Sequence, residues 1–330
     1  EKKLYKGVAS SVRNAGIDRF IGIGEALSRN GAEFPAGSLF YGTTSECADA
    51  IRSLQFRDET ILIKGARVFG LERISGLLVR QLHKTGLEIN MNAVVHNLDE
   101  LRTLLKSGTG MIAMVKAFAY GSGSAEIASL LEYNGVRYFA VAYADEGVAL
   151  REEGITSPVM VMNPDESVME LMINNSLEPE IYSMESFSAF ASAARRYGLL
   201  HYPVHIKLDT GMHRLGFDIN DLDELAGRLA GQQHLKVVSL FSHLAASDDP
   251  AHNDFTHRQA RLLTDAAGKL QKALGYPFWL HLLNSSGISR FPEYQFDMVR
   301  LGIGLYGIGR YEGVTLMNTG RFVTAVSQVR

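Results

Sequence analysis

Cationic and hydroxyl side chains recur at the ends of apolar runs along this sequence, where they could bind an anion or form a covalent bond. The first is Lys116, which lies inside the run MIAMVKAFAYGSG (111–123). A buried ammonium group is costly unless it is paired, neutralised or chemically used, although a lysine at a strand end can also reach water. No matching set of carboxylates accompanies these residues, which favours an anionic ligand. The others are Tyr120, Lys207, Arg214, His243, Asn284, Ser285 and Arg300.

From residue 86 onward, apolar strand-like runs alternate with helical patterns. Counting the run around Lys116 and the final DMVRLGIGLYGIG (297–309), eight strand candidates fit in the 245 residues from 86 to 330. This is the size of a closed (β/α)8 TIM barrel, which has roughly 250 residues and its chemistry at the carboxyl ends of the strands. A doubly wound open sheet is the alternative, and it is disfavoured because polar residues recur at nearly every predicted strand end.

Glycines in RLGIGLYGIG (300–309) point to phosphate binding near the last predicted strand. Glycine lets backbone N–H groups approach an anion closely, although each glycine can equally serve a tight turn. The last strands of such barrels are a recurrent phosphate site. A lysine beside a phosphate site suggests pyridoxal phosphate, whose aldehyde forms a Schiff base with a neutral lysine amine.

Residues 1–85 show a different, smaller pattern. Apolar runs followed by helical patterns predict a partial α/β domain of βαβα type, too short to bury both faces of its own sheet well. HKTG (83–86) is the predicted joint to the barrel domain, 86–330. The three apolar runs are RFIGIG (19–24), GSLFYG (37–42) and TILIKG (60–65).

Composition excludes several classes of partner. The 330 residues are 46% hydrophobic and 21% charged, with a net charge of −3, so neither nucleic acid nor an anionic membrane is an expected partner. The single cysteine, Cys47, excludes an internal disulfide and suits a reducing compartment, here the cytoplasm. No apolar stretch approaches the roughly 20 residues that span a bilayer. We predict no metal site.

Six ordered segments resemble alanine racemases. MVKAFAYGSG (114–123) resembles the pyridoxal-phosphate lysine signature of that family, and LEINMNAVVHNLDELR (87–102) is similar to its opening strand and helix. This resemblance implies the N-terminal barrel of an enzyme that interconverts L- and D-alanine for peptidoglycan synthesis. The later signatures, in the family order, are IKLDTGMHRLGF (206–217), FSHLAASDD (241–249), LNSSG (283–287) and FDMVRLGIGLYG (296–307).

The resemblance also implies residue roles. Lys116 would hold the cofactor covalently and act as one catalytic base, while Arg214 would position the substrate carboxylate. Arg300 would face the pyridine nitrogen, supported by His243. Lys207 matches a lysine that is often carbamylated in the family, which would make it an anionic partner for Arg214; a plain salt-bridging lysine is the alternative. The cofactor-binding set is completed by Tyr120, Asn284, Ser285 and the backbone of Gly302 and Ile303.

The sequence departs from the family pattern in two ways. Phe118 and Ser122 stand where the family usually has Asn and His. The family's second base is a tyrosine of a C-terminal β-domain that reaches into the partner subunit's pocket, and neither Tyr306 nor Tyr311 occupies the matching motif. Because the sequence stops inside the strand-like run RFVTAVSQVR (321–330), we expect an excerpt of a longer, homodimeric protein that binds the cofactor but racemises alanine weakly or not at all.

The N-terminal piece has its own resemblance. DETILIKGARVFGLERISGLL (58–78) is similar to the closing strand and helix of Mur ligases, nearest the one that adds D-alanyl-D-alanine to the muramoyl-tripeptide. No Gly-x-x-x-x-Gly-Lys-Ser/Thr loop is present, so ATP-driven ligation is not expected of this piece. The resemblance implies that the parent protein is a bifunctional ligase–racemase fusion.

Two other functions fit the same barrel type. The first alternative is a non-catalytic pyridoxal-phosphate-binding protein that acts in cofactor homeostasis, and such proteins also lack the β-domain. The second is a decarboxylase, whose larger substrate would need acidic pocket residues that the sequence does not reveal.

Overall fold

The structure, a computed structural model, describes residues 2–51, 53–54, 56, 59–78 and 85–324. The chain divides into two compact units, one comprising Glu1–Thr85 with Thr324–Arg330 and the other Gly86–Val323. Part of the predicted joint (83–86) and most of the predicted final strand (321–330) lie outside the described residues. Within the part of the chain that is described, no helix is both long and apolar enough to cross a membrane.

The N-terminal unit contains one small parallel sheet. Strands β1 and β2 pair with each other, and the apolar side chains of Cys47, Ile51 and Ile74 form a small buried cluster beside them. The elements in chain order are α1 (Lys2–Asn14), β1 (Ile21–Ile23), α2 (Glu25–Arg29), β2 (Leu39–Tyr41), α3 (Thr44–Ile51) and α4 (Glu72–Leu78).

The prediction of a third strand in this unit is wrong. Residues 60–65 form neither strand nor helix. Leu62 is 84% exposed and Ile61 is 42% exposed, so the apolar run is not buried as a strand of a covered sheet would be. The apolar composition of residues 60–65 was therefore not sufficient to predict a strand. A short apolar run forms a strand only where a neighbouring strand offers its hydrogen-bonding groups.

The larger unit is a closed barrel, as the sequence predicted. It opens with β3 (Gly86–Ile89) and α5 (Met91–Thr103), and β3 pairs outside the barrel with the antiparallel strand that ends the unit. The remaining elements are β4 (Gly110–Met114), α6 (Lys116–Gly121), α7 (Ser124–Tyr133), β5 (Phe139–Val141), α8 (Ala144–Glu152), β6 (Val159–Val161), α9 (Met169–Asn174), β7 (Glu178–Ile181), α10 (Met184–Arg196), β8 (Tyr202–Lys207), α11 (Leu222–Ala230), β9 (Leu235–Phe241), α12 (Asn253–Leu274), β10 (Trp279–His281), α13 (Ser285–Arg290), β11 (Met298–Leu301) and β12 (Gly320–Val323).

Strands β4 to β11 are parallel, lie in chain order, and close where β11 pairs with β4. Every residue of β5 and β6 is buried, as expected for parallel strands covered on both faces. Helices pack on the outer face of the barrel. For example, α12 buries the side chains of Ala260, Leu263 and Leu270. A separate apolar cluster is formed by Ile112, Met114, Tyr138, Ala140, Met160, Phe241 and Met298.

The parallel arrangement brings the predicted polar residues to one rim. Lys116 follows β4, Lys207 is the last residue of β8, and His243 lies two residues after β9. Asn284 precedes α13, and Arg300 lies inside β11 rather than at its end. Because all eight strands run in the same direction, their carboxyl ends surround a single site.

Candidate active site

A cavity of about 380 Å³ opens at the carboxyl-terminal rim of the barrel. Its volume lies within the range of small-molecule pockets. The sequence-predicted residues all line it: Lys116, Tyr120, Lys207, Arg214, His243, Asn284, Ser285, Arg300, Gly302 and Ile303. The prediction missed Met114, Ala142, Met162, Asn163, Leu215 and Ser286, which also line the cavity.

Lys116 begins an unusual left-handed turn. The next four residues, Ala117 to Tyr120, have φ between 50° and 58°, although none of them is glycine. Left-handed backbone costs an L-residue roughly 1–2 kcal/mol, and strain of this kind concentrates at functional sites. The surroundings hold the turn in place: Ala119 is fully buried, and the Ala117 N–H donates to Glu146 Oε1 at 2.6 Å.

The Lys116 amine is half-buried and free. It makes no hydrogen bond or ion pair with the residues that the structure describes, although it shares the cavity with several polar groups. A partly desolvated amine without a partner, held on a fixed turn, is available to form a covalent bond with a carbonyl compound.

Arg300 is the centre of the buried polar structure beneath the cavity. Its guanidinium is 3% exposed and donates to the carbonyl oxygens of Ser242 (2.7 Å) and Leu282 (2.9 Å). It also bonds to His281 Nδ1 at 2.7 Å and to His243 Nδ1 at 3.3 Å. None of these bonds uses Nε, and burial lowers the pKa of Arg300 to about 10, so the group stays charged near neutral pH.

A chain of buried hydrogen bonds extends from Arg300 through the barrel interior. His281 Nε2 lies 3.0 Å from Ser239 Oγ, which lies 2.7 Å from His205 Nδ1. His205 Nε2 in turn lies 2.8 Å from Glu178 Oε2. None of these four residues was predicted from the sequence; the polar alternation within β8, β9 and β10 was the available signal.

His243 packs above Arg300 as a neutral imidazole. Burial, followed by the positive charges of Arg300 and Arg214, lowers the pKa of His243 from 6.5 to about 3. Its backbone carbonyl accepts a hydrogen bond from Gln259 Nε2 at 3.0 Å, which fixes the segment after β9. A neutral His243 can accept a hydrogen bond from Arg300 without adding a second positive charge.

The part of the cavity wall formed by Ser285 and Gly302 is suited to a phosphate. Ser285 Oγ accepts the Gly302 N–H at 2.9 Å and the Gly304 N–H at 3.4 Å, so hydroxyl and backbone donors lie together. A Cβ at position 302 would lie 2.8 Å from Tyr120 Oη, so a side chain there would require the tyrosine to shift. Asn284 lines the same end, but its Oδ1 already accepts the Gly287 N–H as the cap of α13.

A buried acid corrects the expectation that this rim lacks carboxylates. Glu180, in β7, is fully buried and lies 3.0 Å from Lys207 Nζ through its Oε1. Burial raises the pKa of Glu180 to about 7, opposed by the nearby charge of Lys207, and burial likewise lowers the pKa of Lys207. Arg214, in contrast, is exposed at the cavity mouth.

Among the described residues, no group of three or more His, Cys, Asp or Glu side chains could hold a metal ion.

Comparison with known proteins agrees with this geometry. Residues 89–310 match the family description "Alanine racemase, N-terminal domain". The chain belongs to the alanine racemase family. The matched residues include every predicted site residue.

Relatives and solved structures extend the match. The alanine racemases of Synechocystis sp. and Symbiobacterium thermophilum are 35% and 33% identical over 235 and 236 residues, covering 70% and 71% of this chain. The chain spans 62% and 61% of those relatives. The Clostridium difficile 630 alanine racemase in complex with cycloserine has a TM-score of 0.71 at 30% identity, covering 76% of this chain and 70% of that one. The Streptomyces coelicolor A3(2) enzyme has a TM-score of 0.70 at 26% identity, covering 75% and 68%.

Alanine racemases depend on pyridoxal phosphate, and the residues of this cavity fit that group. Lys116 offers the free amine, and Arg300 offers a charged donor for a ring nitrogen. Ser285 offers a hydroxyl donor for a phosphate, beside the N–H groups of Gly302 and Gly304.

The left-handed turn predicts that glycine at position 118 is more stabilising than alanine, the reverse of their order in a right-handed helix. Phe118 has φ 58° and is 71% exposed, so replacing it removes little packing. We expect Phe118→Gly to be more stable than Phe118→Ala by about 1 kcal/mol, because glycine removes the left-handed penalty. Urea unfolding followed by the fluorescence of Trp279, the single tryptophan, measures the difference.

The control is the same pair of substitutions at the exposed Lys269 in α12, a right-handed helix, where alanine should be the more stable residue. If alanine were favoured at both positions, the left-handed turn would not carry the strain assigned to it.

The neutral state of His243 predicts acid sensitivity. Below about pH 6.5 the unfolded state binds a proton at this histidine, whereas the folded state does not bind one until about pH 3. Stability from His243 is therefore complete above about pH 6.5 and is lost as the pH falls towards 3. Between about pH 7 and about pH 5, this amounts to about 2 kcal/mol of unfolding free energy. Urea unfolding at both pH values should show that His243→Gln loses less than the wild type by that amount, whereas the exposed control His252→Gln loses as much as the wild type.

Proposed function

We propose that the barrel binds pyridoxal phosphate through Lys116 and forms one half of an alanine racemase active site. In the full-length protein this site would interconvert L- and D-alanine for peptidoglycan synthesis. The observation that carries the proposal is the free amine of Lys116, held on a strained turn in the same cavity as the buried cation Arg300. Membership of the alanine racemase family supports it.

Each residue has a distinct task in this proposal. The cofactor, when bound, withdraws electrons and makes the Cα proton of alanine acidic. Lys116 would hold the cofactor and take up the proton on one face, while Arg300 would donate a hydrogen bond to the ring nitrogen and keep its own proton. Ser285, Tyr120 and the Gly302 and Ile303 backbone would bind the phosphate, with Asn284 beside them in the cofactor-binding set. Arg214 positions the substrate carboxylate at the cavity mouth.

We propose that this chain by itself carries only one of the two bases that racemisation needs. Tyr306 Oη lies 3.5 Å from the Met114 carbonyl oxygen, and Tyr311 Oη donates to the Ile308 carbonyl at 3.1 Å. Neither tyrosine lines the cavity, in the part of the chain that the structure describes. The second base would come from a segment of the partner subunit in a homodimer of the full-length protein.

Covalent attachment of the cofactor tests the first proposal. The chain mixed with pyridoxal phosphate should develop visible absorption, and borohydride should then fix the cofactor to the peptide that contains Lys116. The Lys116→Ala variant should show neither signal, because it lacks the amine. The exposed Lys269→Ala variant is the matched control and should behave as the wild type.

Attachment distributed over surface lysines, with Lys116 left unlabelled, would contradict the assignment. Labelling without any exchange of the alanine Cα proton would favour the alternative, a non-catalytic pyridoxal-phosphate-binding protein of cofactor homeostasis.

The single-base proposal predicts proton exchange without inversion. In D2O, Lys116 should exchange the Cα proton of the enantiomer whose hydrogen faces it, and inversion should be slower by on the order of 100-fold, because no general acid serves the other face. Nuclear magnetic resonance follows the exchange, and a chiral assay follows the inversion. Equal rates of exchange and inversion for both enantiomers would show that a second base is present in this chain.

We also propose that the parent protein is a cytoplasmic fusion of this racemase barrel to a Mur-type ligase. The support is the likeness of residues 58–78 to the closing segment of the D-alanyl-D-alanine-adding ligase. It is weakened by the lack of strand structure at 60–65. The coding sequence upstream of residue 1 tests it, since a ligase must carry a nucleotide-binding Gly-x-x-x-x-Gly-Lys-Ser/Thr loop.

A further inference from the structure

Lys207 lines the cavity and is paired with the buried Glu180, and this pair has no task in the reaction described so far. Lys207 Nζ lies 3.0 Å from Glu180 Oε1, and the two side chains are 4% and 0% exposed. Glu180 Oε2 is buried and makes no hydrogen bond with the described atoms. A buried carboxylate with an unused oxygen is costly, so its presence beside the cavity calls for an electrostatic reason.

The charges around Glu180 supply that reason. Burial raises the pKa of Glu180, and the charges of Lys207, Arg300 and Arg214, in that order, oppose that rise. The Lys207 ammonium and the Arg300 guanidinium also lie 5.5 Å and 5.3 Å from the centre of the Phe241 ring, positions that favour a cation. Glu180 is therefore a buried acid placed among the cations of the site, whose charges oppose the effect of burial.

We propose that the Glu180 carboxylate is the anionic partner of Lys207 in this site, and that Lys207 remains an unmodified amine paired to it. Glu180 then fills the place that a carbamate on Lys207 would fill, and it acts as a positioning residue for Lys207 and, through charge, for Arg214. This inference rests on the proposed function, and it selects the plain salt-bridging alternative for Lys207.

Carbamylation would place a second anion next to the first. The Lys207 ammonium would release two protons to solvent, and its nitrogen would bond to the carbon of CO2, leaving a negatively charged carbamate. The new oxygens would lie beside the fully buried Glu180 side chain, where like charges repel strongly. Lys207 would also lose its ion pair and its cationic contact with Phe241. Each of these effects opposes the modification.

Nuclear magnetic resonance with ¹³C-labelled bicarbonate tests the proposal on the full chain. The wild type should give no carbamate resonance beyond that of a Lys207→Met control, which accounts for other amines. The Glu180→Gln variant keeps the size of the side chain but removes the charge, so the buried Lys207 amine should lose its proton more readily and react with CO2. It should therefore give a new carbamate resonance, which should disappear in the Glu180→Gln, Lys207→Met double variant.

Two results would overturn the inference. One is a carbamate resonance in the wild type that Lys207→Met removes; the other is a well-folded Glu180→Gln that stays unreactive. Circular dichroism reports the folding of each variant, and Glu180→Asp, which keeps the charge, should stay unreactive as the wild type does. The wild-type measurement needs no variant other than the Lys207→Met blank. Cofactor attachment at Lys116 is measured separately, so failure of the proposed function is distinguishable from failure of this inference.

Discussion

The site depends on the burial of one guanidinium group. Removing the Arg300 charge from water carries a desolvation cost of several kcal/mol, which only well-placed hydrogen-bond acceptors can offset. The carbonyl oxygens of Ser242 and Leu282, at the ends of neighbouring strands, accept from it, and two histidines complete its surroundings. The closed barrel makes this possible because parallel strands present their last carbonyl oxygens on one rim. Strand order, histidine placement and cavity position are therefore parts of one arrangement.

The groups around this arginine leave the cavity with an excess of positive charge. The histidines beside it are neutral, because burial and nearby cations lower the pKa of both. Glu180 offsets one positive charge, and Lys116 and Arg214 remain without ion pairs among the described residues. The cavity consequently favours a ligand with several negative charges, as a phosphorylated cofactor and an amino-acid carboxylate together provide.

The sequence predicted the barrel and its rim well, for a physical reason. Parallel strands are buried on both faces, so a lysine or histidine at a strand end contrasts with its apolar neighbours and is easily recognised. Side chains that point into the barrel from mid-strand, such as Glu180 and His205, alternate with apolar residues and look like ordinary strand polarity. Glu180 pairs with Lys207 and His205 bonds to Glu178, and these contacts between β7 and β8 are visible only once the strands are in register.

Local hydrophobicity predicted the structure less well outside the barrel strands. The run at 60–65 has the composition of a strand but lacks a partner in the described structure. The left-handed turn after Lys116 left no glycine or asparagine signature at Phe118, because the surrounding contacts, not the residue type, impose the backbone conformation. Such features depend on neighbours that a linear pattern does not contain.

The buried chain that leads away from Arg300 has a direction. An arginine can only donate, so His281 must accept at Nδ1 and carry its hydrogen on Nε2. Nε2 then donates to Ser239, whose hydroxyl hydrogen is left to donate to His205 Nδ1, and His205 Nε2–H donates to Glu178. With an obligate donor at one end and a carboxylate at the other, only one arrangement of imidazole tautomers satisfies every bond. All hydrogen bonds of this chain therefore point in one direction, from Arg300 towards Glu178, and no single residue can change its direction without breaking a bond to a neighbour.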